Sequence, residues 1–118
     1  MRNVDLSATN LSGANLSGAN LVEVNLRAGI FRYEYMMYEE LCSDWIYHET
    51  NLCNANLSGA NLTGAMLNEA NLVGANLQDA NLTNTDFSEV ILNEANLERA
   101  LVAGAVFENA EMSWGEVS

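Results

Sequence analysis

A large apolar residue recurs at every fifth position along most of the chain, with a small residue two positions before it in nearly every case. The longer series runs from Leu52 to Met112, and a shorter one runs from Leu6 to Phe31. A five-residue step turns an α-helix by about 140°, so a helix would have no continuous apolar face. A straight strand would place alternate large residues on opposite faces. The pattern therefore predicts a solenoid, with one short extended piece and one bend in each pentad.

The pentads share one pattern of residue types. Ala14–Gly18, Ala55–Gly59 and Ala60–Gly64 each contain a small residue, Asn, Leu, Ser or Thr, and Gly in that order. This unit resembles the motif of the pentapeptide-repeat family, and the resemblance covers nineteen pentads, about four-fifths of the chain. It implies an all-β fold, a right-handed quadrilateral β-helix with one pentad on each side and twenty residues in each coil. Composition and spacing alone do not indicate four sides.

A coil of twenty residues agrees with several pairs of residues in this chain. Phe87 and Phe107 occupy the same slot twenty residues apart, so we expect their rings to stack. Three further sets have this spacing: Glu69 with Glu89, Asp79 with Arg99, and Asn56 with Asn76 and Asn96.

The repeat is interrupted between Phe31 and Leu52, because the step between them is one position longer than four pentads. Continuing either register through this segment would place acidic or aromatic residues in the small inward slot, and burying an unpaired carboxylate is costly. We therefore expect an extruded, partly helical insertion, with Met37, Leu41 and Trp45 along one stripe. The single domain, residues 1–118, then consists of a first repeat block (4–31), the insertion (32–49), a second repeat block (50–112) and a C-terminal cap or tail (113–118).

The insertion contains most of the aromatic residues of the chain and its only histidine, His48. Two interpretations are open: the aromatic residues cover a gap between the two repeat blocks, or they form a recognition loop for another protein. Tyr, Trp and Met are favoured in protein interfaces. The candidate partner contacts in this segment are Tyr35, Met37, Tyr38, Trp45 and Tyr47.

The second repeat block contains two further candidate contact surfaces. Ile91, Leu101 and Val106 occupy the slot in which Asn is usual, which predicts an exposed apolar patch. Glu69 and Glu89 form an acidic column. This column is either a tolerated accident of the repeat or a surface for a basic partner.

The chemistry of the remaining side chains is limited. Cys42 and Cys53 could form a disulfide that joins the insertion to the coil, or they could both be reduced. Together with His48 they match no common zinc pattern, so we expect no metal and no cofactor. The sequence has no nucleophile paired with a base, no Gly-rich phosphate loop and no distinct pair of acids. We therefore predict no catalytic residues and a protein that is not an enzyme.

Charge restricts the class of partner. Sixteen acidic residues face four arginines and no lysine, and the net charge of −12 disfavours direct binding to nucleic acid or to an anionic membrane. No signal peptide or membrane-spanning segment is visible, so we expect a cytoplasmic protein. The leading hypothesis is a non-enzymatic protein–protein interaction or scaffold module with an unidentified protein partner. We expect it to be a monomer or a weak end-to-end dimer.

Two alternative functions are compatible with the same residues. Some pentapeptide-repeat proteins look like negatively charged duplex DNA and inhibit a topoisomerase. The resemblance and the acidity of this chain therefore suggest a DNA-mimicking inhibitor of a DNA-binding protein such as DNA gyrase. The other alternative is a structural element of a larger assembly, built by end-to-end stacking of the coils.

Overall fold

The computed structural model describes residues 4–37 and 40–112, and between residues 29 and 48 it describes the backbone only. Most of the chain winds as a four-sided β-helix, in which neighbouring coils are joined by single parallel bridges. In the second repeat block the bridged residues are twenty apart, as Asn56 and Asn76 are. The twenty-residue coil implied by the family resemblance is therefore confirmed.

Each side of the coil is a column of bridged residues, with one residue from each pentad. Eighteen positions are bridged, and at four positions per coil they make about four and a half coils. Side 1 contains Asn10, Asn51, Asn71, Ile91 and Glu111; side 2 contains Asn15, Asn56, Asn76 and Asn96; side 3 contains Asn20, Asn61, Asn81 and Leu101; and side 4 contains Asp5, Asn25, Met66, Asp86 and Val106.

Local hydrogen bonds explain why Asn precedes the central leucine. The Oδ1 atom of Asn71 accepts the backbone N–H of Val73 at 3.1 Å, which closes an Asx-turn around Leu72. The backbone N–H of Leu72 then donates to the carbonyl of Ile91 in the next coil at 2.8 Å. The N–H of Asn71 donates to the carbonyl of Thr50 in the previous coil at 2.9 Å. Each pentad thus makes its own bend and joins both neighbouring coils.

The axis of the coil is dry. Phe87 and Phe107 stack with ring centroids 5.1 Å apart and planes within 3°, which confirms the predicted pair. Thr85 occupies a small inward slot, and its buried hydroxyl donates to the carbonyl of Leu62 at 2.7 Å. Apolar burial at roughly 25 cal/mol per Å² is the main stabilising force here. The fully buried leucines are Leu21, Leu26, Leu52, Leu57, Leu62, Leu67, Leu72, Leu77, Leu82 and Leu92.

The insertion is a β-hairpin. Strand β1 spans Gly29–Met37 and strand β2 spans Glu40–His48. The strands are antiparallel, with Gly29 paired with His48 at the base and Met37 paired with Glu40 at the far end. Within the described residues these two strands form a sheet of their own.

Two predictions about the insertion are wrong. It begins at Gly29, three residues earlier than expected, and Phe31 lies in β1 instead of the coil. The short helix is absent from this part of the described chain, because Met37 ends β1 while Leu41 and Trp45 lie in β2. The aromatic residues in both strands suit a pleated ribbon better than a helix.

Candidate interaction surface

The hairpin leaves the coil at the corner between sides 4 and 1 without disturbing the register. Across the hairpin, Asn10 is bridged to Asn51, and Asn20 is bridged to Asn61. Each of these separations equals one coil of twenty residues plus the length of the segment 29–49. The two repeat blocks therefore form one continuous β-helix, and the hairpin is an addition to it.

Thr50 closes the coil at the base of the hairpin. Its side chain is fully buried. Its Oγ1 atom accepts the N–H of Ala8 at 2.7 Å and donates to the carbonyl of Arg27 at 3.0 Å. Beside it, the N–H of Asn51 donates to the carbonyl of Thr9 at 2.8 Å. These bonds join the chain before the hairpin to the chain after it.

The register of the hairpin divides the predicted contact residues between two faces. Residues paired across the strands share a face, and faces alternate along each strand. Tyr35 and Met37 therefore lie on one face of the ribbon, and Trp45 and Tyr47 lie on the other. Tyr38 lies outside the described residues. A flat partner surface could meet either pair, but not all four residues at once.

The acidic column lies beside the base of the hairpin. Glu69 and Glu89 occupy the same corner in successive coils, and the N–H of Glu69 donates to the carbonyl of Ser88 at 3.0 Å. Both have left-handed backbones, with φ of 63° and 59°. Glu49 occupies the corresponding place one coil earlier and accepts a hydrogen bond from Asn71 Nδ2 at 3.4 Å. Among the described side chains, the salt bridges involve neither Glu69 nor Glu89.

On another corner, Asp79 and Arg99 are also one coil apart, but their charges are opposite. Arg99 Nε donates to Asp79 Oδ1 at 2.8 Å, and Arg99 Nη2 donates to Asp79 Oδ2 at 3.3 Å. This pair holds the pKa of Asp79 below its usual value. The predicted twenty-residue pairing is confirmed. Because both side chains are more than half exposed, the pair adds little to stability.

Asp86 takes the place of the usual Asn on side 4. Its Oδ1 atom accepts the backbone N–H of Ser88 at 2.9 Å, as Asn does elsewhere in the repeat, and Asn68 Nδ2 donates to its Oδ2 at 2.9 Å. Burial opposes ionisation of this carboxyl group. The hydrogen bonds from Ser88 and Asn68 and the charge of Arg27 outweigh the burial and hold the pKa of Asp86 below its usual value.

The predicted apolar patch is not one surface. Ile91 lies on side 1 and is partly buried, Leu101 lies on the opposite side 3, and Val106 lies on side 4. The prediction is wrong because ten residues make half a coil, so Ile91 and Leu101 face opposite directions. A role for each residue in partner binding stays a prediction.

Exposed apolar residues collect instead at the end of the last described coil. Leu101 and Val106 are 61% and 43% exposed. Val102 and Met112 occupy inward slots and are 48% and 42% exposed. Residues 113–118, which were predicted to form a cap or tail, lie outside the described residues.

The structure contradicts the candidate disulfide, since Cys53 is a free thiol. Cys42 lies in β2, six residues before His48 at the base of the hairpin. Extended strand of that length spans about 20 Å, so Cys42 lies about that far along the hairpin from its base. Among the side chains that the structure describes, in residues 4–28 and 49–112, no group of His, Cys, Asp and Glu could hold a metal ion. The same residues include no helix long and apolar enough to cross a membrane.

Comparison with protein families identifies the repeat. The profile for pentapeptide repeats matches in eight copies, over residues 1–32, 48–84 and 80–114. Two stretches are unmatched: residues 33–47, which lie within the span of the hairpin, and residues 115–118 at the C-terminal end. The match therefore covers the coil on both sides of the insertion.

Pentapeptide repeat proteins are also found among the solved structures that match this chain. A pentapeptide repeat protein from the thylakoid lumen of Arabidopsis thaliana is 25% identical with a TM-score of 0.60, over 88% of this chain and 61% of its own. One from the cyanobacterium Cyanothece is 34% identical with a TM-score of 0.38, over 95% and 59%. HetL, a pentapeptide repeat protein involved in heterocyst differentiation regulation in the cyanobacterium Nostoc, is 25% identical with a TM-score of 0.48, over 93% and 56%.

This chain spans about three-fifths of the length of those three proteins. Among curated proteins, none matches it.

Proposed function

Because this chain belongs to the pentapeptide-repeat family and folds as a right-handed quadrilateral β-helix, we propose that it is a non-enzymatic protein–protein interaction module. In this proposal the coil is the scaffold and the hairpin Gly29–His48 is the element that meets a partner. The observation that carries the proposal is the bridging of Asn10 to Asn51 across the hairpin, in the same register as the bridges of the uninterrupted coil. It indicates that the segment 29–49 was added to a coil that closes without it.

The composition of the hairpin supports this role. It contains one of three Phe residues, all four Tyr residues and one of two Trp residues, which is six of the nine aromatic residues of the chain. The coil does not need them for its own core, because its axis is filled by the repeat residues. Aromatic residues are enriched in protein interfaces.

A deletion of residues 29–49 tests the proposal directly. It places Thr50 after Ala28, so that Asn51 follows Asn25 by five positions and the pentad series becomes continuous. We expect the variant to keep the circular dichroism spectrum of the coil and an equal or higher melting temperature, since removing a loop does not raise the entropic cost of folding. We also expect it to lose the partner that the full chain retains in affinity purification.

Single substitutions in the hairpin then test which of its faces contacts the partner. Tyr35→Ala and Trp45→Ala change opposite faces of the hairpin, so the variant that weakens binding identifies the contact face. Glu98→Ala, on an exposed part of the coil, is the control and should bind as the full chain does. A deletion variant that folds and still retains every partner would refute the role of the hairpin.

The net charge of −12 favours a second candidate, in which the acidic coil occupies a protein surface that normally holds duplex DNA. This is the DNA-mimicking inhibitor suggested by the sequence. A supercoiling assay with DNA gyrase measures it: inhibition that persists after deletion of residues 29–49 would support it. If micromolar protein left the supercoiling activity of gyrase unchanged, the DNA-mimicking function would be refuted.

A further inference from the structure

The two-stranded hairpin has outer edges that can accept another strand. Within the described residues β1 pairs with β2 alone. The backbone N–H and C=O groups along an outer edge are then available to a further strand. A single hairpin is marginally stable in water, and three or more strands are more stable. An added strand would therefore stabilise the hairpin.

We propose that β1 pairs with β1 of a second copy of this chain, antiparallel about a two-fold axis, so that two hairpins form one four-stranded sheet. This inference rests on the proposed function, because it names a partner for the hairpin. A two-fold contact uses the same surface on both copies, so the sequence of β1 has to complement itself.

The sequence of β1 has this property. The strand has nine residues, so full overlap places its middle residue, Tyr33, opposite Tyr33 of the second copy. Each residue before Tyr33 then lies opposite the residue equally far after it. The resulting cross-strand pairs are Arg32 with Glu34, Phe31 with Tyr35, and Ile30 with Met36.

These pairs are of the kinds that stabilise sheets. The two-fold axis repeats the pair of Arg32 and Glu34, so the dimer contains two pairs of opposite charge. Pairs of opposite charge and pairs of aromatic residues each stabilise an antiparallel sheet relative to alanine. The aromatic pair Phe31 and Tyr35 is also formed twice. No residue of β1 faces a like charge in this register.

Strand β2 does not have this property. Its middle residue is Asp44, so full overlap of two β2 strands would place two aspartates directly opposite each other. Like charges in that position destabilise a sheet. Strand β1 contains one arginine and one glutamate, whereas β2 contains Glu40 and Asp44 and no arginine. The β1 edge is therefore the edge that suits self-pairing.

The antiparallel arrangement also accommodates the charge of the coils. Two copies with a net charge of −12 repel each other at short distance. In the β1 pair, the base of each hairpin lies beside the far end of the other, so the two coils are at opposite ends of the shared sheet. Nine residues of strand span about 30 Å, several times the ~8 Å screening length in physiological salt.

Sedimentation of the purified full chain over a concentration series tests the pairing, and we expect a reversible dimer. Glu34→Arg places arginine opposite arginine, and Arg32→Glu places glutamate opposite glutamate. Each variant alone should dimerise roughly tenfold more weakly. Mixed in equal amounts, the two variants restore both pairs of opposite charge and should form a heterodimer with the original affinity. A folding defect in either variant could not produce that recovery.

Asp44→Asn changes β2 and is the control, which should leave the dimer unchanged. A full chain that stays monomeric up to about 100 μM overturns the self-pairing. The proposed interaction function would then still be judged separately, by the partner lost on deletion of residues 29–49. A dimer that survives this deletion, or that is insensitive to both charge reversals, also overturns the inference because the contact would lie elsewhere.

Discussion

Replacing Leu72 with alanine should strongly destabilise the coil. Leu72 is fully buried, and the leucines that precede and follow it on side 1, Leu52 and Leu92, are fully buried as well. The change removes three buried carbons, which at ~0.8 kcal/mol each amounts to about 2.4 kcal/mol. Ladder bonds of 2.7 Å from Leu52 N–H and 2.8 Å from Leu72 N–H fix the spacing of the coils. The cavity left by the substitution therefore cannot close, and it costs a further amount of stability, at most ~2.5 kcal/mol.

Equilibrium unfolding in urea, followed by circular dichroism, measures this cost, which we expect to be about 2.5–5 kcal/mol. The matched control is Leu11→Ala. Leu11 occupies the same slot on side 1 in the first coil, where it is only partly buried. We expect this control to cost less than half as much. Equal costs at the two positions, or a cost at Leu72 below about 1 kcal/mol, would refute the argument from a dry axis.

Two further changes test the closure of the coil and its response to pH. Thr50→Val keeps the shape of the buried side chain but removes its bonds to Ala8 and Arg27, so urea unfolding should show a loss of about 1–2 kcal/mol; no loss would mean that this closure is dispensable. The lowered pKa of Asp86 means that its carboxylate adds stability at neutral pH, which is lost progressively as the pH falls below about 5. Asp86→Asn should therefore reduce the loss of stability between about pH 5 and pH 3. If the variant lost as much stability over this range as the original chain, the lowered pKa of Asp86 would be contradicted.

Residues of the coil could be located from the sequence because each pentad repeats the same bend. Because each coil contains twenty residues, the sequence separation of two residues gives their relative positions around and along the coil. Phe87 therefore stacks on Phe107, and Arg99 reaches Asp79. The same rule could have separated Ile91 from Leu101, since ten residues take the chain to the opposite side. Residues that share a slot in different pentads lie on different sides of the coil, so a shared slot alone does not make a shared surface.

The hairpin could be located only in part. The step between Phe31 and Leu52 marked a segment that leaves the coil, because it is one position longer than four pentads. The helical stripe of Met37, Leu41 and Trp45 was misleading, because pairing between two strands outweighs the local pattern. A strand pair depends on the other strand, which a reading of local periodicity does not include.

The sequence by itself determined the solenoid, its dry axis and the presence of an interruption. These follow from contacts within a pentad and between residues a constant distance apart, so the repeat contains all the information they need. Only the tertiary structure decided the strand register of the hairpin, the burial of Thr50 at its base and the free state of Cys53. These depend on parts of the chain that meet once, across separations that no repeat specifies.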